Sequence, residues 1–388
     1  MKHFYAVVVG CIVLLGLSID FSRVLGQQVQ RQGGGNESQP QAMTIASHEA
    51  TPQAADPAPV EDATPASGVP LLPAAQVERR TSGTHILLDY LLATDTWRGH
   101  WANQQRLHGS APPARLIPTQ TAPLLAPAWR YSIRRIEPFG QRKVVALTFD
   151  LCERTGGVSG YDAPIIDYLR ATKVSATFFA GGKWMRSHPE QTMQLMADPL
   201  FEVGNHSWTH DNLRLLHGKE LETQILWAQA QYELLWEELA SRAQRIGLDP
   251  QEMAGIPKRP LTFRFPYGAC SAEALQTLAN YGLPAIQWDV VSGDPAPQQT
   301  ADGIVQNVLH HTRPGSIVVF HANGREHGTA DALPRLIPAL QARGFTFVTV
   351  SELLQLGTVT ASEECYELRP GDNRRYDTFS GSRTNAWR

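Results

Sequence analysis

Short apolar runs rich in β-branched and aromatic residues recur from residue 144 onward, and segments of helical periodicity separate them. The apolar runs predict strands at Val144–Asp150, Val174–Ala180, Phe201–His206, Thr262–Pro266, Ala285–Val291, Ile317–His321 and Phe345–Val350. The segments between them predict helices at Pro164–Thr172, Glu190–Ala197, Glu220–Gln244, Ala272–Tyr281, Ala301–His311 and Ala332–Arg343, with a short last helix at Ser351–Leu356. Strands that alternate with helices are typical of a parallel α/β fold.

The repeated strand–helix units span residues 141–357 and favour a barrel over an open sheet. A (β/α) barrel uses about 250 residues for eight units. The chain therefore predicts a distorted parallel (β/α)7 barrel, with a doubly wound open sheet as the alternative. In both architectures the carboxyl ends of the strands meet at one face, where we expect the functional residues to lie.

The residues outside this range predict four further parts. Residues 1–26 have a cationic start, an apolar stretch and small residues near a cleavage position, which is typical of a secretory signal peptide, with a membrane anchor as the alternative. Residues 27–80 are rich in Pro, Ala, Gln, Thr and Ser and predict a disordered linker. Residues 81–140 predict an accessory extension with a helical pattern at 86–92, and residues 358–388 form a polar, Arg-rich tail.

Charge and hydropathy exclude some classes of function. The 388 residues carry 34 Lys+Arg against 37 Asp+Glu, a formal net charge of −3, without a basic run, which argues against a nucleic-acid-binding protein. After the signal, no apolar segment approaches the length of a membrane span, so we expect no stable span unless the signal stays uncleaved. The signal predicts export to the periplasm or the extracellular space, where cysteines oxidise.

Reactive side chains stand where the predicted strands end: Asp150, His206, His210, Arg264 and His321. Two histidines four residues apart share one face of a helical turn and are able to reach one metal ion. Each residue alone also has an ordinary structural explanation, such as a helix cap for the aspartate or a buried, hydrogen-bonded histidine. Arg264 is harder to explain, because a buried guanidinium needs an anionic partner, for which Asp150 is the candidate.

Taken in order, four segments resemble the motifs of the polysaccharide deacetylase family (NodB homology, carbohydrate esterase family four): Thr148-Phe149-Asp150, His206-Ser207-Trp208-Thr209-His210, Arg264-Phe265-Pro266-Tyr267 and Val319-Phe320-His321. The resemblance covers about residues 141–357, roughly half the chain. It implies a distorted seven-stranded barrel that removes N-acetyl or O-acetyl groups from a glycan. It also implies a divalent metal, for which we expect zinc.

The resemblance gives each matched residue a role. Asp150 is similar to the general base, Arg264 to the residue that orients this base, and His321 to the general acid. The backbone N–H of Tyr267 matches a donor to the oxyanion. An imidazole whose ordinary pKa is near 6.5 is suited to protonate a leaving amine at neutral pH.

The resemblance also makes His206 and His210 metal ligands, but the third ligand of the family is missing. The family has a second Asp directly after the base, and Leu151 occupies that position. A leucine does not coordinate a metal, so another donor is needed. The candidates are Glu153, Asp150, Cys152 and Asp211.

The motif of the fifth strand departs from the family as well. Val291 stands at the position of its first acidic residue and Pro295 at the position of its Trp. We expect Asp294, or alternatively Asp289, to supply the carboxylate that tunes His321.

The cysteines allow one bridge within the exported part of the chain. Cys152 and Cys270 both follow strand ends at the same face, so we expect a disulfide between them with Cys365 left over. A Cys152 thiolate at the metal is one alternative, and unpaired buried thiols are another.

These observations together predict an exported hydrolase that acts on carbon–nitrogen bonds other than peptide bonds. Its expected partner is an N-acetylated glycan such as peptidoglycan or a chitin-like polymer. One alternative is an amidohydrolase for a small non-glycan amide. The other is a catalytically degenerate glycan-binding protein, which Leu151 and Val291 suggest.

Overall fold

A computed structural model of the chain describes residues 83–94 and 111–378. The predicted signal at 1–26 and the predicted linker at 27–80 lie outside the described residues. Among the residues that are described, no helix has both the length and the apolar character that crossing a membrane requires.

A curled, mostly parallel sheet forms the centre of the fold. Its strands are β1 (Ser132–Pro138), β2 (Val144–Leu151), β3 (Ala176–Ala180), β4 (Phe201–Asn205), β5 (Ala285–Ile286), β6 (Val290–Val291), β7 (Ser316–His321), β8 (Thr346–Phe347) and β9 (Gly357–Ser362). The hydrogen-bonded order is β4-β3-β2-β7-β1-β5, and β6 pairs with β7, β8 with β2 and β9 with β1. Strand β2 runs parallel to both β3 and β7, so these carboxyl ends share one face.

Helices connect the strands and lie close to the predicted bounds. They are α1 (Gly83–Thr94), α2 (Ala163–Ala171), α3 (Gly182–Ser187), α4 (Pro189–Ala197), α5 (Gly218–Arg245), α6 (Ala272–Asn280), α7 (Ala301–His311), α8 (Thr329–Ala342) and α9 (Val350–Leu353). Short 3₁₀ helices occur at Pro127–Trp129, Leu213–Leu215, Pro250–Gly255, Pro266–Gly268 and Asp372–Thr378. Helix α3 is the described α-helix for which the sequence pattern gave no prediction.

The strand predicted at Thr262–Pro266 is reduced to isolated bridges. Phe263 bridges Asn205 of β4 on one side and Ala285 of β5 on the other, both in parallel orientation. The prediction of a full strand is wrong there because the segment turns into a 3₁₀ helix at Pro266, whose ring nitrogen has no hydrogen to donate. These bridges link β4 to β5 and complete the ring of neighbours, which confirms an α/β fold of the distorted-barrel type.

The sheet extends beyond residues 141–357 at both ends. Strand β1 pairs antiparallel with β9, from Ser132 opposite Ser362 to Pro138 opposite Gly357. Helix α1 lies further upstream and buries Leu87 and its neighbours in the main hydrophobic core, as the helical spacing predicts. Segments on both sides of the predicted barrel therefore contribute to its packing.

The predicted Cys152–Cys270 disulfide is wrong. The bridge joins Cys270 to Cys365, with the two Cα atoms 5.4 Å apart, and Cys152 is a free, buried thiol. The pairing of β9 with β1 brings the following residues back over the turn at Pro266–Gly268, which places Cys365 beside Cys270. The sequence gave no indication of this return.

Candidate active site

Asp150 and His321 end adjacent parallel strands. Asp150 is the second-to-last residue of β2 and His321 is the last residue of β7, and the two residues are direct register partners. The strands ahead of them are buried and apolar, so the change from apolar to polar residues marks the mouth of the barrel. The structure thus brings two of the predicted site residues together by strand register alone.

Arg264 is the ion-pair partner of Asp150. Its Nη1 lies 2.9 Å from Asp150 Oδ1, and the guanidinium is fully buried. Its remaining nitrogens donate to the carbonyl oxygens of Ile286 (3.3 Å) and Gln287 (3.2 Å), and its face covers the Phe179 ring, 4.1 Å from the ring centroid. These contacts fix the carboxylate in one orientation.

The charges around Asp150 keep it ionised. Burial alone would raise the pKa of this carboxyl group, but the neighbouring charges, that of Arg264 first, outweigh the burial and lower the pKa below its ordinary value. The carboxylate is therefore available as a proton acceptor across the neutral range.

His206 presents an unpaired nitrogen to the site. Its Nδ1 lies 2.9 Å from the carbonyl oxygen of Arg264, so Nδ1 carries the hydrogen and Nε2 keeps its lone pair. Nε2 has no hydrogen-bond partner and lies 3.6 Å from Asp150 Oδ2. A buried acceptor without a donor is costly, which points to a group that binds there.

His210 lies beside His206, but not on a helical turn as the spacing predicted. Residues 206–210 form a turn in which Ser207 and His210 both have positive φ. The centroids of the two imidazole rings, those of His206 and His210, lie 5.0 Å apart. His210 Nδ1 is buried and also has no hydrogen-bond partner. Burial lowers the pKa of both imidazoles, so both are neutral, as metal ligands must be.

The turn at 206–210 is held by side chains from neighbouring elements. Gln224 Oε1 on α5 accepts hydrogen bonds from the backbone N–H groups of Trp208 (3.1 Å) and Thr209 (3.0 Å). Trp208 packs on Gly182, where an added Cβ would lie 2.2 Å from the indole. A larger residue at position 182 would displace the indole and with it the turn that carries both histidines.

A group of donors that fits a metal ion lies at this point. The ligand atoms of Cys152, His206 and His210 lie within 4.8 Å of one another. Sulfur and imidazole nitrogen are the donors that zinc prefers, and the unpaired nitrogens of the two histidines fit a cation as their missing partner. Burial raises the pKa of the Cys152 thiol to about 12 while it is unligated.

Glu153, a predicted third ligand, has a different role. Its Oε1 lies 2.7 Å from Lys183 Nζ and accepts a hydrogen bond from Ser187 Oγ at 2.9 Å, and its Oε2 accepts one from the Ser159 backbone N–H at 3.3 Å. Lys183 also donates to the carbonyl oxygen of Gly157 at 2.7 Å. This buried network anchors the loop after β2, and its carboxylate is not part of the histidine cluster.

The carboxylate of Asp211, another candidate for the third ligand, is also engaged in hydrogen bonds. Its Oδ2 accepts hydrogen bonds from Thr209 Oγ1 at 3.0 Å and from Gln224 Nε2 at 2.8 Å. The carboxylate therefore supports the turn that carries the two histidines.

Asp294 is the carboxylate beside His321. Its Oδ1 lies 2.9 Å from His321 Nδ1, and its Oδ2 accepts hydrogen bonds from the His321 backbone N–H at 2.7 Å and from Thr329 Oγ1 at 2.9 Å. Burial lowers the pKa of His321, but the Asp294 carboxylate raises it by more, to about 9. The alternative, Asp289, instead accepts from the Ile317 backbone N–H at 2.9 Å.

Tyr267 lies on the turn between the histidines and the C-terminal segment. Its φ is +58°, its ring centroid lies 4.6 Å from that of His210, and it also stacks on the Tyr376 ring, with the centroids 5.0 Å apart. Asn373 Nδ2 donates to the carbonyl oxygens of Gly268 and Tyr267, so the turn is held from the C-terminal side.

The C-terminal segment is the part of the site that sequence reasoning missed. Arg214 binds Asp377 Oδ1 through Nε at 2.9 Å and Asn373 Oδ1 through Nη1 at 2.8 Å. Cys365 was the only signal in the polar tail that could have indicated this attachment, as the partner of another cysteine.

Comparison with known proteins identifies the family of the chain. The sequence profile of the family described as polysaccharide deacetylase matches residues 139–286. A chitooligosaccharide deacetylase of Bradyrhizobium sp. (strain ANU 289) is 33% identical over 248 residues, which cover 61% of this chain and 99% of that protein. The chain belongs to the polysaccharide deacetylase family.

Two further relatives carry related descriptions. A chitooligosaccharide deacetylase of Sinorhizobium fredii is 33% identical over 213 residues, which cover 52% of this chain and 87% of that protein. A peptidoglycan-N-acetylglucosamine deacetylase of Bacillus cereus is 29% identical over 228 residues, covering 58% of this chain and 73% of that protein.

Proposed function

We propose that this protein is an exported, metal-assisted hydrolase that removes acetyl groups from an N-acetylated envelope or extracellular glycan, with Asp150 as base and His321 as acid. The observation that carries the proposal is the opposite tuning of these register partners. The pKa of Asp150 is lowered, whereas that of His321 is raised to about 9. Two neighbouring groups with pKa values pushed apart are the usual sign of an acid–base pair.

Asp150 begins the reaction as the proton acceptor. Its carboxylate takes a proton from a water molecule as the water oxygen attacks the acetyl carbonyl carbon. Arg264 orients the carboxylate through Oδ1, which leaves Oδ2 facing His206. His206 and His210 would hold a divalent cation, for which the donor atoms favour zinc, and such an ion would polarise the carbonyl and make water more acidic.

His321 completes the reaction as the proton donor. Asp294 engages Nδ1, so Nε2 is the nitrogen that carries the transferable proton. The carbon–nitrogen bond of the tetrahedral adduct breaks, the sugar amine takes this proton, and acetate leaves. The backbone N–H of Tyr267 is the proposed donor to the oxyanion in this step.

Two other functions remain as outcomes of the test. A small non-glycan amide would use the same base and acid, and a degenerate glycan-binding protein would bind sugar without turnover. The relatives described as chitooligosaccharide and peptidoglycan-N-acetylglucosamine deacetylases favour the glycan. The presence of Asp150, Arg264, the two histidines and the His321–Asp294 pair favours catalysis over binding alone.

Acetate release from peptidoglycan and chito-oligosaccharides tests the proposal. We expect Asp150→Asn to lower turnover by about 10²–10⁴-fold with glycan binding retained, because a general base contributes about that much. Asp289→Asn is the matched control, since this partly buried carboxylate binds Ser316 and Ile317 at the start of β7, the end opposite His321. Equal turnover in wild type and Asp150→Asn would rule out Asp150 as the base.

A further inference from the structure

The loop after β2 offers a metal donor one residue later than the family pattern does. Leu151 is the last residue of β2, and Cys152 is the first residue of the loop that follows it. Leu151 is fully buried in the main hydrophobic core, with Phe149 and Phe178 in the same cluster. The residue in the position of the missing carboxylate therefore serves packing.

We propose that Cys152 replaces this carboxylate as a thiolate ligand, in a Cys152–His206–His210 metal site. The inference rests on the proposed function in one respect, because both assume that the protein binds a divalent cation. Its independent support is the geometry: the ligand atoms lie within 4.8 Å of one another, and His206 Nε2 and His210 Nδ1 have no hydrogen-bond partner. Binding of the cation would satisfy both of these nitrogens.

The surroundings of Cys152 resemble those of a built ligand. Asn323 Nδ2 donates to Cys152 Sγ at 3.1 Å and to the Cys152 carbonyl oxygen at 2.9 Å, which fixes the sulfur in direction. His206 is fixed in the same way, by the bond from its Nδ1 to the Arg264 carbonyl oxygen. Outer partners of this kind orient metal ligands and set the imidazole tautomer.

The donor set has a consequence for the choice of metal. One thiolate and two imidazoles favour zinc and other borderline or soft ions, whereas a carboxylate suits harder ions such as magnesium or manganese. Three protein ligands also leave a position open for water and substrate, as catalytic zinc sites do. We therefore expect this protein to discriminate more strongly against magnesium and manganese than a carboxylate-ligated site would.

Zinc-edge X-ray absorption on the full chain tests the inference without reference to turnover. The protein is freed of metal and loaded with one equivalent of zinc. We expect one sulfur at about 2.3 Å in addition to nitrogen or oxygen at about 2.0–2.1 Å. Cobalt-loaded protein should show thiolate-to-metal charge-transfer absorption in the near ultraviolet. A shell of nitrogen and oxygen only would overturn the inference.

Variants of Cys152 provide the second measurement. Cys152→Ser should remove the sulfur signal and weaken zinc binding by more than about 100-fold, since loss of an outer partner alone costs about 10–100-fold. Cys152→Asp should lose the sulfur signal while retaining metal. Met185→Leu removes another buried sulfur outside the cluster and is the control, so its sulfur signal should match wild type.

The outcomes separate the inference from the proposed function. A sulfur shell without acetate release supports the thiolate site and contradicts the deacetylase. Acetate release from protein whose metal has no sulfur neighbour contradicts the thiolate site and leaves the deacetylase intact.

Discussion

Asp150 and His321 are register partners at the ends of strands β2 and β7, and their surroundings tune them in opposite directions. Arg264 contacts Asp150, and Asp294 contacts His321. Because both residues belong to strands rather than flexible loops, their separation is set by the sheet itself. The proposed acid–base pair is therefore part of the barrel's construction.

Asp294→Asn should move the alkaline limb of the activity profile to lower pH. As the proposed acid, His321 would donate a proton only while it is protonated, and its pKa is about 9, so wild-type turnover should fall as the pH rises through that value. Without the Asp294 carboxylate the pKa falls, and at about pH 8 turnover should decrease by at least about tenfold. The measurement is kcat/KM against pH, and an alkaline limb unchanged in the variant would contradict the role of Asp294.

Arg264→Met should destabilise the fold, because it leaves the Asp150 carboxylate buried without its charged partner. Removal of one member of a buried ion pair costs about 3–5 kcal/mol. The double variant Asp150→Asn/Arg264→Met should recover part of this loss. Urea unfolding of the two variants and wild type measures the difference, and equal stability of all three would contradict the pairing.

Glu153→Gln should leave the metal content unchanged while lowering stability. Its carboxylate is held by Lys183, which is buried as well, so the change leaves an uncompensated ammonium. Metal analysis after purification, together with thermal unfolding, checks both parts. A variant that unfolds normally but loses its metal would instead make Glu153 a ligand.

Loss of the Cys270–Cys365 disulfide should loosen the C-terminal side of the site. The bridge closes a sequence separation of 95 residues, and removal of a native bridge costs about 2–5 kcal/mol. The double variant Cys270→Ser/Cys365→Ser should therefore unfold at lower temperature. Hydrogen exchange should rise in the segment around Tyr376, and unchanged exchange there would show that Arg214 and Asn373 suffice to hold it.

The place of the site could be predicted from the sequence because buried parallel strands end where apolar residues give way to polar ones. This change is visible at Asp150, His206 and His321. The extent of the fourth predicted strand, Thr262–Pro266, could not be predicted from this change. Phe263 forms isolated bridges there, and the chain then turns at Pro266.

Long-range connections could not be predicted in the same way. Charged residues interrupt the apolar pattern of β1, and β9 has no buried face, so neither gives a strong strand signal. The disulfide depends on the pairing of these two strands, which brings Cys365 back to Cys270. The proposed third ligand lies just after β2, where Leu151 packs in the core and the Cys152 sulfur lies beside the two histidines.

Acetate release by the purified protein before chelation, after chelation and after restoration of zinc tests the central claim most directly. With peptidoglycan and chito-oligosaccharides as substrates, we expect release that chelation abolishes and zinc restores. Release that survives complete removal of metal would contradict the metal-assisted mechanism. A folded protein that binds these glycans but releases no acetate with zinc present would instead be a degenerate binding protein.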